Sequence, residues 1–128
     1  MSAMSDYLEN EILDHILGTG AYTMPSTVYI GLSTGSFGDD NSGTELSGNG
    51  YARQLVAFDA AVAGTADNTG AIEFSAATAS WGTVSHFGLF DASTGGNLLI
   101  HGVFAVSKSI GSGDILKIAA GKLDITAA

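Results

Sequence analysis

The chain has 128 residues, the size of one ordinary domain, and is long enough to bury a core without disulfide or metal staples. At 45% hydrophobic against 13% charged it is too apolar for a disordered chain, yet no apolar run approaches the ~18 residues of a membrane span. The net charge of −9, with only Arg53, Lys108, Lys117 and Lys122 basic, leaves no cationic face for nucleic acid or an anionic membrane, and favours a neutral or basic protein surface as partner.

Cysteine is absent, so disulfides and thiolate metal sites are excluded. The 18 glycines are dispersed without period and accompanied by one proline, which argues against collagen or a simple linker. Met1 to Met4 lack a basic n-region and an apolar h-region. No secretory signal is expected there, and cytosolic synthesis is the default.

Ser5 to Leu17 read as a helix. Ser5 suits the N-cap, and Asp6 follows where the helix dipole favours negative charge. Leu8, Ile12 and Ile16 recur at helical spacing with Leu13 and Leu17 beside them, and Gly18 suits the C′ position. After Pro25 the period changes. Thr27 to Thr34 alternates as a strand with Val28, Ile30 and Leu32 on one face. Gly35 to Gly50 has little that can pack and reads as a long surface loop. Tyr51–Phe58 and Ala71–Phe74 read as strands. Val84–Phe90 and Leu98–Val106 read as a hairpin around Ser93-Thr94-Gly95-Gly96, and Ile115–Ile118 and Leu123–Thr126 close the chain. The apolar run Leu98-Leu99-Ile100 implies a strand buried on both faces or covered by the helix. The fold class expected is mainly β: an antiparallel β-sandwich or small barrel of about six to eight strands with one N-terminal α-helix. One domain over 1–128 is expected, with the helix at 5–17 and the β domain at 26–128.

Chemistry is sparse. Gly31-Leu32-Ser33-Thr34-Gly35 matches G-x-S-x-G, but that elbow needs a strand-to-helix turn over a parallel sheet, and a Gly/Asp/Ser loop follows here. Asp39, Asp40, Asn41 and Glu45 are the densest set of hard-cation ligands, without EF-hand spacing; a solvated loop is expected. His15 suits the helix C-terminus. His86 and His101 lie on the two hairpin arms. A two-residue Gly95-Gly96 loop puts them on one face, several residues apart, and a register shifted by one puts them on opposite faces. No third metal ligand is evident, so no metal, cofactor or catalytic residue is expected. Trp81, Phe87, Phe90 and Tyr51 read as core, or as anchors in a subunit interface. Arg53, a rare cation in an acidic chain, requires a carboxylate partner within the chain or across an interface.

Several segments recur together: Met4-Ser5-Asp6-Tyr7-Leu8-Glu9-Asn10, Tyr22 through Leu32, Glu45 through Gln54, Trp81 through Asp91, Thr94 through Leu99, Ser107-Lys108 and Gly113-Asp114. In this order, over nearly the whole chain, they resemble a family of small tailed-phage proteins commonly labelled phage tail fibre protein. The resemblance implies a non-enzymatic virion protein, assembled in the host bacterial cytoplasm. Fibres reach outward through repeats or heptads, and this chain has neither. The expectation is therefore a capsid decoration (cement) protein stabilising the shell through the major capsid protein. A tail or tail-fibre component in host adsorption is the alternative. Partners would be virion proteins and copies of itself, a trimer being favoured, with neither nucleic acid nor membrane. Leu8, Ile12, Ile16, Tyr51, Arg53 and Trp81 are the candidate subunit-interface residues. A glycan-binding module is a third reading, with the loop Ser36 to Asn49 presenting polar groups and Trp81 stacking on a sugar.

Overall fold

The computed structural model describes residues 2–126. Met1 and residues 127–128, which the single-domain expectation includes, lie outside the described residues. The chain runs β1 (Ser2–Met4), α1 (Asp6–Leu17), β2 (Val28–Ser33), β3 (Gln54–Val56), β4 (Thr65–Asp67), β5 (Ile72–Glu73), β6 (Gly82–Phe90), β7 (Leu98–Ile110), β8 (Lys117–Ile118) and β9 (Asp124–Thr126). It is mainly β and antiparallel with one helix near the N-terminus, as expected, and no barrel closes among the described residues. An open five-stranded sheet in the order β1-β7-β6-β2-β3 is accompanied by two short ladders, β4-β9 and β5-β8.

The helix forms for the local reasons its residues suggest. The Ser5 hydroxyl accepts the Leu8 N–H at 3.2 Å, and Gly18 turns into the left-handed region at φ 78°, which relieves the last turn. Ser5 also joins the helix to the sheet: its N–H donates to the Leu99 carbonyl at 2.8 Å and its hydroxyl to that of Leu98. The run Leu98-Leu99-Ile100 is thus covered by the helix end and by β1, whose Met4 pairs with Ile100. β1 was not legible: three residues are too few to show a period.

One core gathers Ile30, Leu32, Val84, Phe87 and Leu89 from the central sheet with Ile72, Phe74, Leu116, Leu123 and Ile125 from the short ladders and their flanks. Asn68 is buried in this layer without cost, because its amide donates to the Gly70 and Ala119 carbonyls and its oxygen accepts the Leu123 N–H.

Residues 35–50 depart from the surface-loop expectation. Phe37 is only 1% exposed and forms a second cluster with Phe90 and Leu98. Phe37 and Phe90 meet edge-to-face at 5.6 Å. A lone aromatic among Gly, Ser and Asp carries no periodicity, so its burial had no local signal. In the β6–β7 hairpin Gly88 pairs with His101 and His86 with Val103, which places the two histidines on one face. They do not converge: His86 meets the Ser85 hydroxyl and His101 meets Asp39. Between Val103 and Lys108 β7 bulges away from β6, which advances only from His86 to Val84.

Asp67 and Asp124 stand opposite each other in the β4–β9 ladder. The Asp67 carboxyl is held above its usual range, first by the hydrogen bond shared with Asp124, then by desolvation and the charges of Asp124 and Asp59. A carboxyl with a raised folded pKa binds its proton more tightly folded than unfolded, so ionising it above that range destabilises the fold. Asp67→Asn is expected to raise Tm at neutral pH, with the gain shrinking as pH falls through the carboxylate range. A thermal melt series from neutral to acid pH checks this.

Candidate functional site

The apolar residues of α1 spread over roughly half its circumference, from Leu8 through Ile12 and Ile16 to Leu13 and Leu17. Only Leu8, at one edge of that arc, is buried. Ile12 and Leu13 are exposed, and Ile16 and Leu17 are each 72% exposed. Beside the helix runs an apolar trough lined by Leu8, Ile12, Tyr22, Val28, Leu99 and Ile100. It continues past Ile125 toward Met4 and Ala61. The helix exit is pinned, since His15 Nδ1 accepts the Tyr22 N–H at 3.1 Å and the Thr19 hydroxyl bonds the Asp14 carboxylate at 3.0 Å. The exposed ridge is therefore presented on a fixed element.

The other candidate residues serve the fold. Arg53 pairs with Glu45 in a bidentate fork, Nε to Oε2 at 2.9 Å and Nη2 to Oε1 at 2.8 Å, and its side chain is 8% exposed. Its remaining nitrogen donates to the Ala92 and Gly95 carbonyls, both at 2.8 Å, and its guanidinium lies 3.6 Å over the Phe90 ring. The Tyr51 hydroxyl donates to Glu45 and accepts the Leu32 N–H at 2.9 Å. Desolvation, then the hydrogen bond to Glu45, raises the Tyr51 pKa far above its ordinary value, which keeps the hydroxyl a donor. Trp81 is buried edge-on to Tyr51 at 5.6 Å, with its N–H donating to the Asn49 carbonyl. Tyr51, Arg53 and Trp81 thus differ from the interface expectation: their rings and polar groups are taken up within one chain. The partner Arg53 required is Glu45 of the same chain.

Two glycines make room for this clamp. Gly31 and Gly88 are cross-strand partners in β2 and β6. A Cβ on Gly31 would stand 2.7 Å from Glu45 Oε2, and one on Gly88 2.9 Å from the Leu98 side chain and 3.0 Å from Phe90. Only glycine admits the carboxylate and the ring this close to the sheet.

The weighed chemistries find other uses in the structure. Ser33 of the G-x-S-x-G match is buried in an antiparallel strand, where its hydroxyl donates to the Thr44 carbonyl at 2.6 Å. The acidic loop does not assemble as one ligand set: Glu45 binds Arg53, Asp39 meets His101 at 2.7 Å, and Asp40 accepts the Ser42 N–H. The bonds to Ser42 hold the Asp40 carboxyl below its usual range. Among the described residues no group of three His, Asp or Glu side chains is arranged to hold a metal ion. Trp81, being buried, offers no face for stacking on a sugar.

Residues 3–126 match a family model described as Podophage GP4 fiber I protein gp80. No curated protein matches the chain. With nearly the whole chain matched, it belongs to this phage fibre family and is a structural component of a virion.

Removing one partner of a buried ion pair leaves the other charge uncompensated. Arg53→Met is therefore expected to lower unfolding free energy by about 3 kcal/mol in urea titrations. A loss well below 1 kcal/mol, the level of an exposed pair, would show that the clamp is not what holds the loop and hairpin together.

Proposed function

We propose that this virion protein is a non-enzymatic subunit of the fibre apparatus, held in place by burying the free face of α1 against adjoining subunits. The single observation that carries the assembly reading is the half-used helix, whose Leu13, Ile16 and Leu17 are presented to solvent on a capped and pinned element. Fully burying one such side chain stabilises an interface by about 1.5–3 kcal/mol before association costs. Many copies engaging together multiply the effect. The polar groups that might have suggested catalysis are engaged within the fold, which supports a role in assembly without turnover. The description of the matched family supports the fibre assignment.

A second reading is favoured by the shape of the chain. Among the described residues the elements form neither a structural repeat nor a long helix for a heptad seam, the devices by which fibres gain length. A capsid decoration protein bound to the major capsid protein fits that compactness. Copy number separates the two: quantifying the protein in purified particles is expected to give a few dozen copies or fewer for a fibre component, against hundreds for a shell protein.

Ile16 and Leu17 are exposed but close the last turn, where the helix dipole disfavours negative charge, so Ile16→Asp with Leu17→Asp is expected to cost about 1 kcal/mol per site and to leave the protein folded. The same variant is expected to be lost from particles assembled in its presence. Immunoblotting of purified virions checks this, and incorporation at the wild-type level contradicts the assembly reading.

A further inference from the structure

We infer that the face of α1 is covered by a second copy of this chain, whose receiving surface is a lysine-rimmed apolar cleft at the far end of β7. This rests on the assembly reading above and names the partner of the same helix face.

The cleft is lined by Val84, Phe104, Val106, Leu116, Lys108 and Lys117. It lies where β7 bulges from β6, and the bulge leaves Val106 strongly exposed. Cations are scarce in a chain with 13 acids and four Lys or Arg, and Arg53 is consumed by Glu45. Two of the three remaining cations therefore line one apolar cleft. Neither Lys108 nor Lys117 forms an ion pair among the described residues, although Glu73 stands across the β5–β8 ladder from Lys117.

The helix offers the complement. Its ridge of Ile12, Leu13, Ile16 and Leu17 carries Glu9 within the apolar arc, and Glu11 and Asp14 lie elsewhere on the same helix. An apolar ridge carrying the Glu9 carboxylate meets an apolar floor rimmed by two lysines, and that charge match orients the contact. The helix cannot fill its own cleft. It is tied to Leu98 and Leu99, whereas the cleft lies roughly 20 Å along β7 at Lys108, by strand rise. The contact is therefore between unlike patches, each copy giving a helix and receiving one. Such contacts close into rings or extend into rows.

Sedimentation equilibrium on the full chain tests this with two surface variants, Ile16→Asp/Leu17→Asp (helix) and Lys108→Glu/Lys117→Glu (cleft). Circular dichroism melts verify that each folds. Wild type is expected above monomer mass and each variant alone at monomer mass. An equimolar mixture of the two is expected at two-chain mass and no higher, because only one intact helix and one intact cleft remain per pair. A monomeric wild type, a helix variant that keeps wild-type mass, or a mixture that stays monomeric overturns the inference. If the wild type is monomeric while the helix variant still fails to enter particles, another virion protein covers the helix; the inference then falls and the assembly reading stands.

Discussion

The fork between Arg53 and Glu45 is the constraint on which the surrounding structure depends. Both groups sit over the sheet face beside Phe90, where an unpaired charge would be costly. Satisfying them dictates where three distant segments lie. Glu45 brings in the end of the 35–50 loop, Arg53 holds the hairpin turn through the Ala92 and Gly95 carbonyls, and Tyr51 closes the free edge of β2 at Leu32. Beyond Gln54, where β3 no longer pairs with β2, the Leu32 backbone has lost its strand partner on that side. The Tyr51 hydroxyl and the Leu46 N–H take its place. Gly31 and Gly88 are the condition for all of this, because side chains there would occupy the space of the carboxylate and the ring.

The molecule separates its two kinds of surface. Polar side chains inside are matched one to another, as in the clamp, at Asn68 and at Ser33, and no buried side-chain nitrogen or oxygen among the described residues lacks a partner. Apolar side chains are left over on the outside, concentrated on α1 and around the β7 bulge. In a virion structural protein that pattern has a direct physical sense: the fold is completed by its own polar contacts, and the apolar remainder is available for assembly.

What could be read beforehand followed from periodicity and local caps. The Ser5 cap, the helix to Leu17, the Gly18 stop, β2 and the hairpin arms were legible because each is decided by neighbours in the chain. β1 and β4 are three residues long and exist because long-range partners pair with them. The site divided in the same way. Ile12 and Ile16 were identified from helical spacing and are exposed, but the same spacing could not say that Leu8 would be buried while Leu13 and Leu17 stayed free. Aromatic and arginine content suggested an interface at Tyr51, Arg53 and Trp81. Composition does not distinguish an interface core from a protomer core, and only the position of Glu45 decides it.

The central claim is that this chain works by having its helix face covered in the assembled particle. Hydroxyl-radical footprinting of intact virions beside the isolated protein, diluted until it is monomeric, tests it most directly. The account predicts that labelling of Ile12, Leu13, Ile16 and Leu17, high in the free chain, falls sharply in the particle while the Met24 side chain in the same protein serves as an internal exposed reference. Equal labelling of the helix residues in both samples, with the reference unchanged, would contradict it.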